Sequence, residues 1–186
     1  MLPQDKVAIT STLLRSGKYF DFCAPTADMV VIEDIAHALA HMCRFGGHAH
    51  RFYSVAEHSV HVSHLVPPEL ALAGLLHDSP EYVLGDVISP LKRIMPGYRV
   101  LERALSPVIL GKFGLEFPLP EAVREADLRM LLTEQHQVMC NGDNWGLPVT
   151  RPAERQVLFL SPKAATAQFL LRFDELFARP HKELHG

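Results

Sequence analysis

The chain has 186 residues, enough for one domain with a full hydrophobic core, and we expect residues 1–186 to form that single domain. Apolar residues make up 48% and charged residues 21% of the sequence, which is ordinary for a globular protein. The formal net charge is −3, and the sequence has no basic stripe that would neutralise a phosphate backbone, so we expect no binding to duplex nucleic acid. A small anionic ligand held by a few local cations remains compatible with this charge.

The cysteines and the start of the chain bear on the cellular compartment. Cys23, Cys43 and Cys140 are odd in number and lie far apart, which favours a reducing compartment over a disulfide framework. Residues 1–6 lack the apolar core of a signal peptide, and no apolar run approaches the roughly 20 residues that span a bilayer. We therefore expect a cytoplasmic protein that does not bind membranes.

The predicted elements begin with two short β-favouring runs, 19–22 and 29–32, which predict a small N-terminal hairpin. From Glu33 onward the apolar spacing is helical, and the pattern Ser54-Val-Ala-Glu57 predicts a capping box at one helix start. Residues 141–155 are rich in Gly, Pro and Asn and predict a loop. The predicted helices are 34–43, 55–66, 68–78, 81–84, 90–95, 98–113, 121–139 and 161–178, so the fold class is all-α.

An acidic residue interrupts an apolar face of the predicted helix 121–139. Asp127 lies at helical spacing from each member of that face. The apolar members are Val123, Ala126, Met130 and Leu131. A buried carboxylate without a partner is costly, so Asp127 requires a cation or strong hydrogen-bond donors. A metal ion would satisfy it, and an ion pair with Arg124 or Arg129 would do so equally well.

Two further polar groups lie where packing does not explain them. His58 falls on the inner face of the helix that follows Ser54, and His77-Asp78 follow the apolar run 71–76. A single histidine on an apolar face is commonly a hydrogen-bonded core residue, and adjacent His-Asp pairs also arise by chance. Together with Asp127, however, these imidazole and carboxylate groups form a ligand set for a divalent metal, with coordination positions left for water and substrate.

In these residues the sequence resembles the HD-domain phosphohydrolase superfamily. Members of that superfamily bind metal on a helical bundle through a His, a His-Asp pair and an Asp that comes later in the chain. The resemblance covers roughly residues 34–134. It is similar in particular to small single-domain members that act as 5′-deoxynucleotidases or as deoxynucleoside triphosphate hydrolases. The motifs that carry it are Arg44-Phe-Gly-Gly-His48, Tyr53-Ser-Val-Ala-Glu-His58-Ser, His77-Asp-Ser-Pro-Glu81, Gly85-Asp86, Ser89-Pro-Leu-Lys92 and Glu125-Ala-Asp127.

The resemblance also implies roles for individual residues. The resemblance implies one divalent ion held by four ligands. Mn, Co, Fe, Ni or Zn suits these ligands, and Mg is also compatible with them. The implied metal ligands are His58, His77, Asp78 and Asp127. The implied catalytic residues, which orient or deprotonate the attacking water, are Glu81 and Asp86. The implied substrate-binding residues are Arg44 and Lys92, as phosphate contacts, and Phe45, which stands where nucleotidases often have a Trp near the sugar.

The function implied is release of phosphate from a nucleoside 5′-monophosphate, with a small-molecule nucleotide as the partner. One alternative is a deoxynucleoside triphosphate hydrolase that releases tripolyphosphate. Another is a non-catalytic sensor module that binds metal and nucleotide, and a third is a helical protein whose His and Asp residues are only hydrogen-bond partners. The sequence does not specify an oligomeric state, although the resemblance allows a homodimer.

Overall fold

The computed structural model describes residues 7–177. Residues 1–6, considered above for a signal peptide, and Ala178, the predicted end of the last helix, lie outside this range. Within it the chain is mostly helical with a small antiparallel sheet, which confirms the predicted class in its broad form. The HD-domain identity of the fold stays a prediction. No helix between residues 7 and 177 is long and apolar enough to cross a bilayer.

The sheet is a hairpin of β1 (Ser11–Leu13) and β2 (Tyr19–Asp21), with Thr12 opposite Phe20. The predicted strand at 19–22 is confirmed, but its predicted partner at 29–32 is wrong. That segment begins in a 3-10 turn, and helix follows directly from Ile32. The hairpin turn lies earlier, at Gly17, whose φ of 86° suits the reversal of the chain.

The helices follow the predicted order, with ends that differ from the predicted ones by a few residues. They are α1 (Ile32–His41), α2 (Val55–Ser63), α3 (Ala71–Leu76), α4 (Glu81–Leu84), α5 (Ser89–Ile94), α6 (Pro96–Gly111), α7 (Glu121–Gln137) and α8 (Pro162–Phe177). The predicted loop at 141–155 is confirmed and lies between α7 and α8.

Helix α2 is the centre of the fold, because every residue from Val55 to Ser63 is buried. It packs against α1, α3, α7 and α8. It contributes Val60 to an apolar cluster with α1, α3, α6 and α8, and Val62 to a second cluster with α7. A polar side chain on α2 that faces either neighbour is therefore withdrawn from water.

The start of α2 is capped as predicted, since the Ser54 hydroxyl accepts the Glu57 N–H at 3.1 Å. The Glu57 carboxylate, expected from the capping pattern to turn back toward Ser54, instead accepts three backbone N–H groups that precede α8. These donors are Leu158, Phe159 and Leu160, at 2.6, 3.1 and 2.8 Å. The segment that leads into α8 is thereby attached to α2.

Candidate metal centre

Three side chains from different parts of the fold meet at one point. His58 lies on α2, His77 directly follows α3, and Asp127 lies on α7. Nε2 of His58 is 3.1 Å from Oδ1 of Asp127 and 3.3 Å from Nε2 of His77. Nε2 of His77 is 3.9 Å from the same Asp127 oxygen. One ligand atom from each residue lies within 4.8 Å of the others, so this cluster could hold a metal ion.

The spacing of these atoms fits a shared ion. Ligand atoms about 2.1 Å from a divalent metal lie roughly 3 to 3.5 Å apart at right or tetrahedral angles. Two of the three observed separations fall in that range, and the third exceeds it slightly. Two imidazoles and a carboxylate are also donors that first-row divalent metals accept.

Both imidazoles are oriented for coordination by a hydrogen bond on the opposite ring nitrogen. Nδ1 of His58 donates to Oε1 of Glu134 at 2.5 Å, and Nδ1 of His77 donates to the carbonyl oxygen of Gly74 at 2.9 Å. These partners assign the proton to Nδ1 in each neutral ring and leave the lone pair of Nε2 directed at the cluster.

Glu134 organises the buried side of the centre. It is fully buried on α7, and besides His58 it accepts hydrogen bonds from the Tyr53 hydroxyl at 2.8 Å and from Nη2 of Arg44 at 3.0 Å. The sequence reasoning missed this residue. Its signal was its position seven residues after Asp127, which places both carboxylates on one face of α7.

The concentration of carboxylates favours positive charge at the centre. Burial and neighbouring Arg44 lower the pKa of His58, but Glu134 and Asp127 outweigh them and raise it to about 10. Burial alone would raise the pKa of Glu134, yet Arg44, His58 and Tyr53 hold it at about 2. The same field that binds a proton at Nε2 of His58 attracts a metal cation to that position, since the two compete for one lone pair.

Asp78 lies next to the cluster of His58, His77 and Asp127 but is not one of its three members. Its assignment as a fourth ligand therefore stays a prediction. Its Oδ2 lies 3.3 Å from Nε2 of His77 and 3.7 Å from Nε2 of His58. Nη1 of Arg44 lies 3.6 Å from the same oxygen. Burial opposes ionisation, but His77, His58 and Arg44 together hold the pKa of Asp78 well below its usual range. The carboxylate is therefore available as an anionic donor.

The alternative of an ion pair between Asp127 and Arg124 or Arg129 is wrong, since neither arginine is among the charged groups within 4 Å of Asp127 in residues 7–177. Nη1 of Arg124 lies 2.7 Å from Glu121, one turn earlier on the exposed side of α7. Within residues 7–177 the charged-group contacts of Asp127 are to His58 and His77. Asp127, the polar residue in the apolar stripe of α7, thus faces the imidazoles of His58 and His77.

Gly74 allows the two histidine-bearing segments to approach each other. A β-carbon added there would lie 3.1 Å from the backbone of Ser63, 3.1 Å from the Val66 side chain and 3.2 Å from the Val62 carbonyl oxygen. Helices α2 and α3 are therefore packed backbone to backbone at this point. Because Gly74 also accepts the His77 hydrogen bond, the contact positions that imidazole against α2.

The predicted catalytic carboxylates lie on either side of Gly85. Glu81 is buried on α4, and Nζ of Lys92 lies 2.8 Å from its Oε1 and 3.2 Å from Oε1 of Glu102. Burial and Asp78 raise the pKa of Glu81, and Lys92 opposes the rise. Asp86 is half-buried, and burial raises its pKa against the attraction of Arg44. Nζ of Lys92 also lies 5.2 Å from the centroid of the Tyr98 ring, and its phosphate contact stays a prediction.

Arg44 and Phe45 stand at the edge of the centre. The Arg44 guanidinium, held by Glu134, lies 5.5 Å from the centroid of the Phe45 ring. Phe45 is half-buried, and its backbone has a φ of 58°, which residues other than glycine rarely adopt. Its predicted contact with substrate stays a prediction.

Comparisons with known proteins identify relatives. The protein named "Uncharacterized protein YfdR" of Escherichia coli (strain K12) is 40% identical over 166 residues, which cover 87% of this chain and 92% of that protein. An uncharacterized protein of Rhodobacter capsulatus is 42% identical over 123 residues, 61% of this chain and 63% of its own length. No family model matches the chain.

Proposed function

The chain belongs to the same family as the Escherichia coli protein YfdR, and for this chain we propose a metal-dependent phosphohydrolase that releases phosphate from a nucleoside 5′-monophosphate. The observation that carries the proposal is the meeting of His58, His77 and Asp127 at ligand distances. The adjacent Asp78 and Arg44 supply a further oxygen donor and a cation. A structural metal site would not require a guanidinium beside its ligands.

The chemistry follows from the charges around the centre. A divalent ion, when bound, supplies Lewis acidity that lowers the pKa of a water ligand toward neutrality. Burial raises the pKa values of Glu81 and Asp86, so these carboxylates are stronger bases than ordinary ones and are suited to accept or hold a proton. Glu134 holds Nε and Nη2 of Arg44, while Nη1 lies toward Asp78. Arg44 thereby offsets the charge on the phosphoryl oxygens from a fixed position.

The substrate class rests on the HD-domain resemblance and on the anion-binding character of Arg44. A monophosphatase releases orthophosphate, and a triphosphate hydrolase acting at the same centre releases tripolyphosphate. A sensor module would bind metal and nucleotide without turnover. The buried carboxylate of Glu81, close to the ligands, favours the enzyme, because a binding module has no need of a proton acceptor there.

The test is an activity matrix of nucleotides against Mn, Co, Ni, Zn and Mg, with the phosphorus products identified. We expect orthophosphate from nucleoside 5′-monophosphates, and we expect His77→Ala to lose bound metal and turnover together. His136→Ala, at an exposed histidine near the end of α7, serves as the matched control and should retain both. Metal-dependent turnover by His77→Ala at the wild-type rate would refute the centre. Tripolyphosphate would assign the alternative hydrolase, and binding without turnover would assign the sensor.

A further inference from the structure

An aromatic pair lies beside the metal centre, and one of its members, Trp145, has no role in the chemistry described above. Trp145, in the loop between α7 and α8, is the single tryptophan of the chain. Its ring centroid lies 6.3 Å from that of Phe45, with 59° between the ring planes. The indole is 39% exposed, so a large aromatic surface is open to solvent. Exposed tryptophan beside a charged site is typical of ligand recognition.

The Phe45 side of this pair is held in an uncommon conformation. Its positive φ is maintained by a tight turn in which Gly47 and His48 donate backbone hydrogen bonds to Arg44 and Phe45, at 3.2 and 3.1 Å. Backbone strain of this kind persists where the surrounding structure requires it, and it concentrates at functional sites. Here it directs the Phe45 ring toward both Arg44 and Trp145.

The Trp145 side is attached to the same helix as the metal ligand Asp127. Nε2 of Gln135 donates to Oδ1 of Asn141 at 3.0 Å and to the carbonyl oxygen of Asp143 at 2.5 Å. Gln135 is buried and directly follows Glu134, which holds His58 and Arg44. The loop that carries the indole is therefore positioned by the helix that positions the centre.

These contacts place a cation and an aromatic surface next to each other. Nη1 of Arg44 reaches Asp78 at the centre, and its guanidinium lies over Phe45, which contacts Trp145. A ligand whose phosphate lies at Arg44 would have its other end beside the indole. A nucleotide has this shape, with an anionic group at one end and a planar base at the other.

We propose that Trp145 is a substrate-binding residue, whose exposed indole stacks on the base of a nucleotide while the neighbouring Phe45 ring, tilted by 59°, packs against the indole. The inference rests on the proposed function for the position of the phosphate. It assigns to the 141–155 loop the preference for nucleotides over phosphate esters that lack a base. Stacking tolerates any base, because every base has a π-face, so the loop selects the class and not one base.

The test uses two substrates that share the deoxyribose and the phosphate, one with a base at C1 of the sugar and one with a hydroxyl there. They are 2′-deoxyadenosine 5′-monophosphate and 2′-deoxyribose 5-phosphate. We expect Trp145→Leu to lower the ratio of kcat/KM between the first and the second by about tenfold, mainly through KM of the nucleotide. Trp145→Phe should restore most of the ratio. Tyr19→Leu, at an aromatic side chain of similar exposure (43%) on β2, is the control and should leave the ratio unchanged. An unchanged ratio in Trp145→Leu overturns the inference.

The fluorescence of Trp145 provides a readout that does not depend on turnover, since no other tryptophan contributes. We expect 2′-deoxyadenosine 5′-monophosphate to quench the wild-type emission saturably, and 2′-deoxyribose 5-phosphate to leave it unchanged. Quenching without hydrolysis in any metal would retain the stacking role and refute the enzyme. Hydrolysis without quenching would retain the enzyme and refute the stacking role.

Discussion

Oε1 of Glu134 lies 2.5 Å from Nδ1 of His58, and neither side chain is accessible to solvent. This contact links the helix that carries Asp127 to the helix that carries His58. The other oxygen of Glu134 accepts from Arg44, so one carboxylate positions a metal ligand and a cation at the same time. A residue with no place in the ligand set thus determines the geometry of the centre.

Glu134→Gln should weaken metal binding. The amide keeps the shape of the carboxylate but leaves the charge of Arg44, which is 11% exposed, without its main partner. We expect metal affinity to fall about 10- to 100-fold, and the free energy of unfolding to fall by about 3 kcal/mol. Competition with a chromophoric chelator and a urea titration measure the two effects. Glu121→Gln, at the exposed pair with Arg124, is the control, and equal affinities for both variants would contradict the prediction.

Gly74→Ala should separate α2 from α3. The added methyl group meets backbone atoms of Ser63 and Val62, which cannot move as a side chain can. We expect a loss of about 1–3 kcal/mol in stability, and weaker metal binding because His77 is displaced from His58. Thermal unfolding with and without metal measures both. Gly111→Ala on α6, where a β-carbon meets nothing within 4 Å, should be neutral or stabilising. A wild-type Tm for Gly74→Ala would show that the helices can adjust.

Lys92→Met should destabilise the protein in a pH-dependent way. Burial raises the folded-state pKa of Glu81 above its usual value of 4.5, and removal of Lys92 raises it further. A carboxyl whose pKa is raised on folding costs stability once the pH exceeds the unfolded-state value. We therefore expect the destabilisation relative to wild type to be small until the pH exceeds the folded-state pKa of Glu81 in the wild-type protein, which lies above 4.5, and to increase as the pH rises beyond it.

Urea titrations across that range measure the effect of Lys92→Met. The double variant Lys92→Met with Glu81→Gln should recover much of the loss, because no buried charge is then left without a partner. Glu102→Gln removes the more exposed partner of Lys92 and is the matched control, with a small effect at every pH. A destabilisation by Lys92→Met that does not vary with pH would show that Glu81 is not its cause.

Asp127→Asn should abolish the stabilisation that metal provides. A ligand that binds only the folded state raises its stability in proportion to the logarithm of ligand concentration. Titration with Mn or Zn should therefore raise the Tm of the wild-type protein and of Asp174→Asn, an exposed aspartate on α8. The Tm of Asp127→Asn should stay nearly constant over the same titration. An equal rise in all three proteins would place the binding site elsewhere.

The sequence was sufficient to predict the helices and to identify His58, His77 and Asp127, which meet at the centre. Proline and glycine separate the helical segments, and Asp127 was identified because a carboxylate interrupts the stripe of α7. The hairpin was only half predicted, because strand propensity identifies β2 but does not choose its partner. Pairing depended on the turn at Gly17, whose sequence signal was overlooked.

The partners of the buried acids could not be predicted in the same way. Glu57 fits a capping box, yet its carboxylate binds a segment about a hundred residues later in the chain. Glu134 receives hydrogen bonds from Arg44, Tyr53 and His58, which precede it by more than seventy residues. Such contacts depend on how helices are arranged in space, and local periodicity carries no information about that arrangement.

The attachment of the 141–155 loop at both ends has an evolutionary consequence. At one end Gln135 binds Asn141 and Asp143, and at the other Thr133 and Ala153 exchange hydrogen bonds at 3.1 and 2.7 Å. We therefore expect the stretch from 144 to 152 to tolerate changes of length and sequence better than the anchored residues on either side of it. Homologues could diversify through this stretch alone, and transplanting it from one homologue to another would be a direct route to altered selectivity.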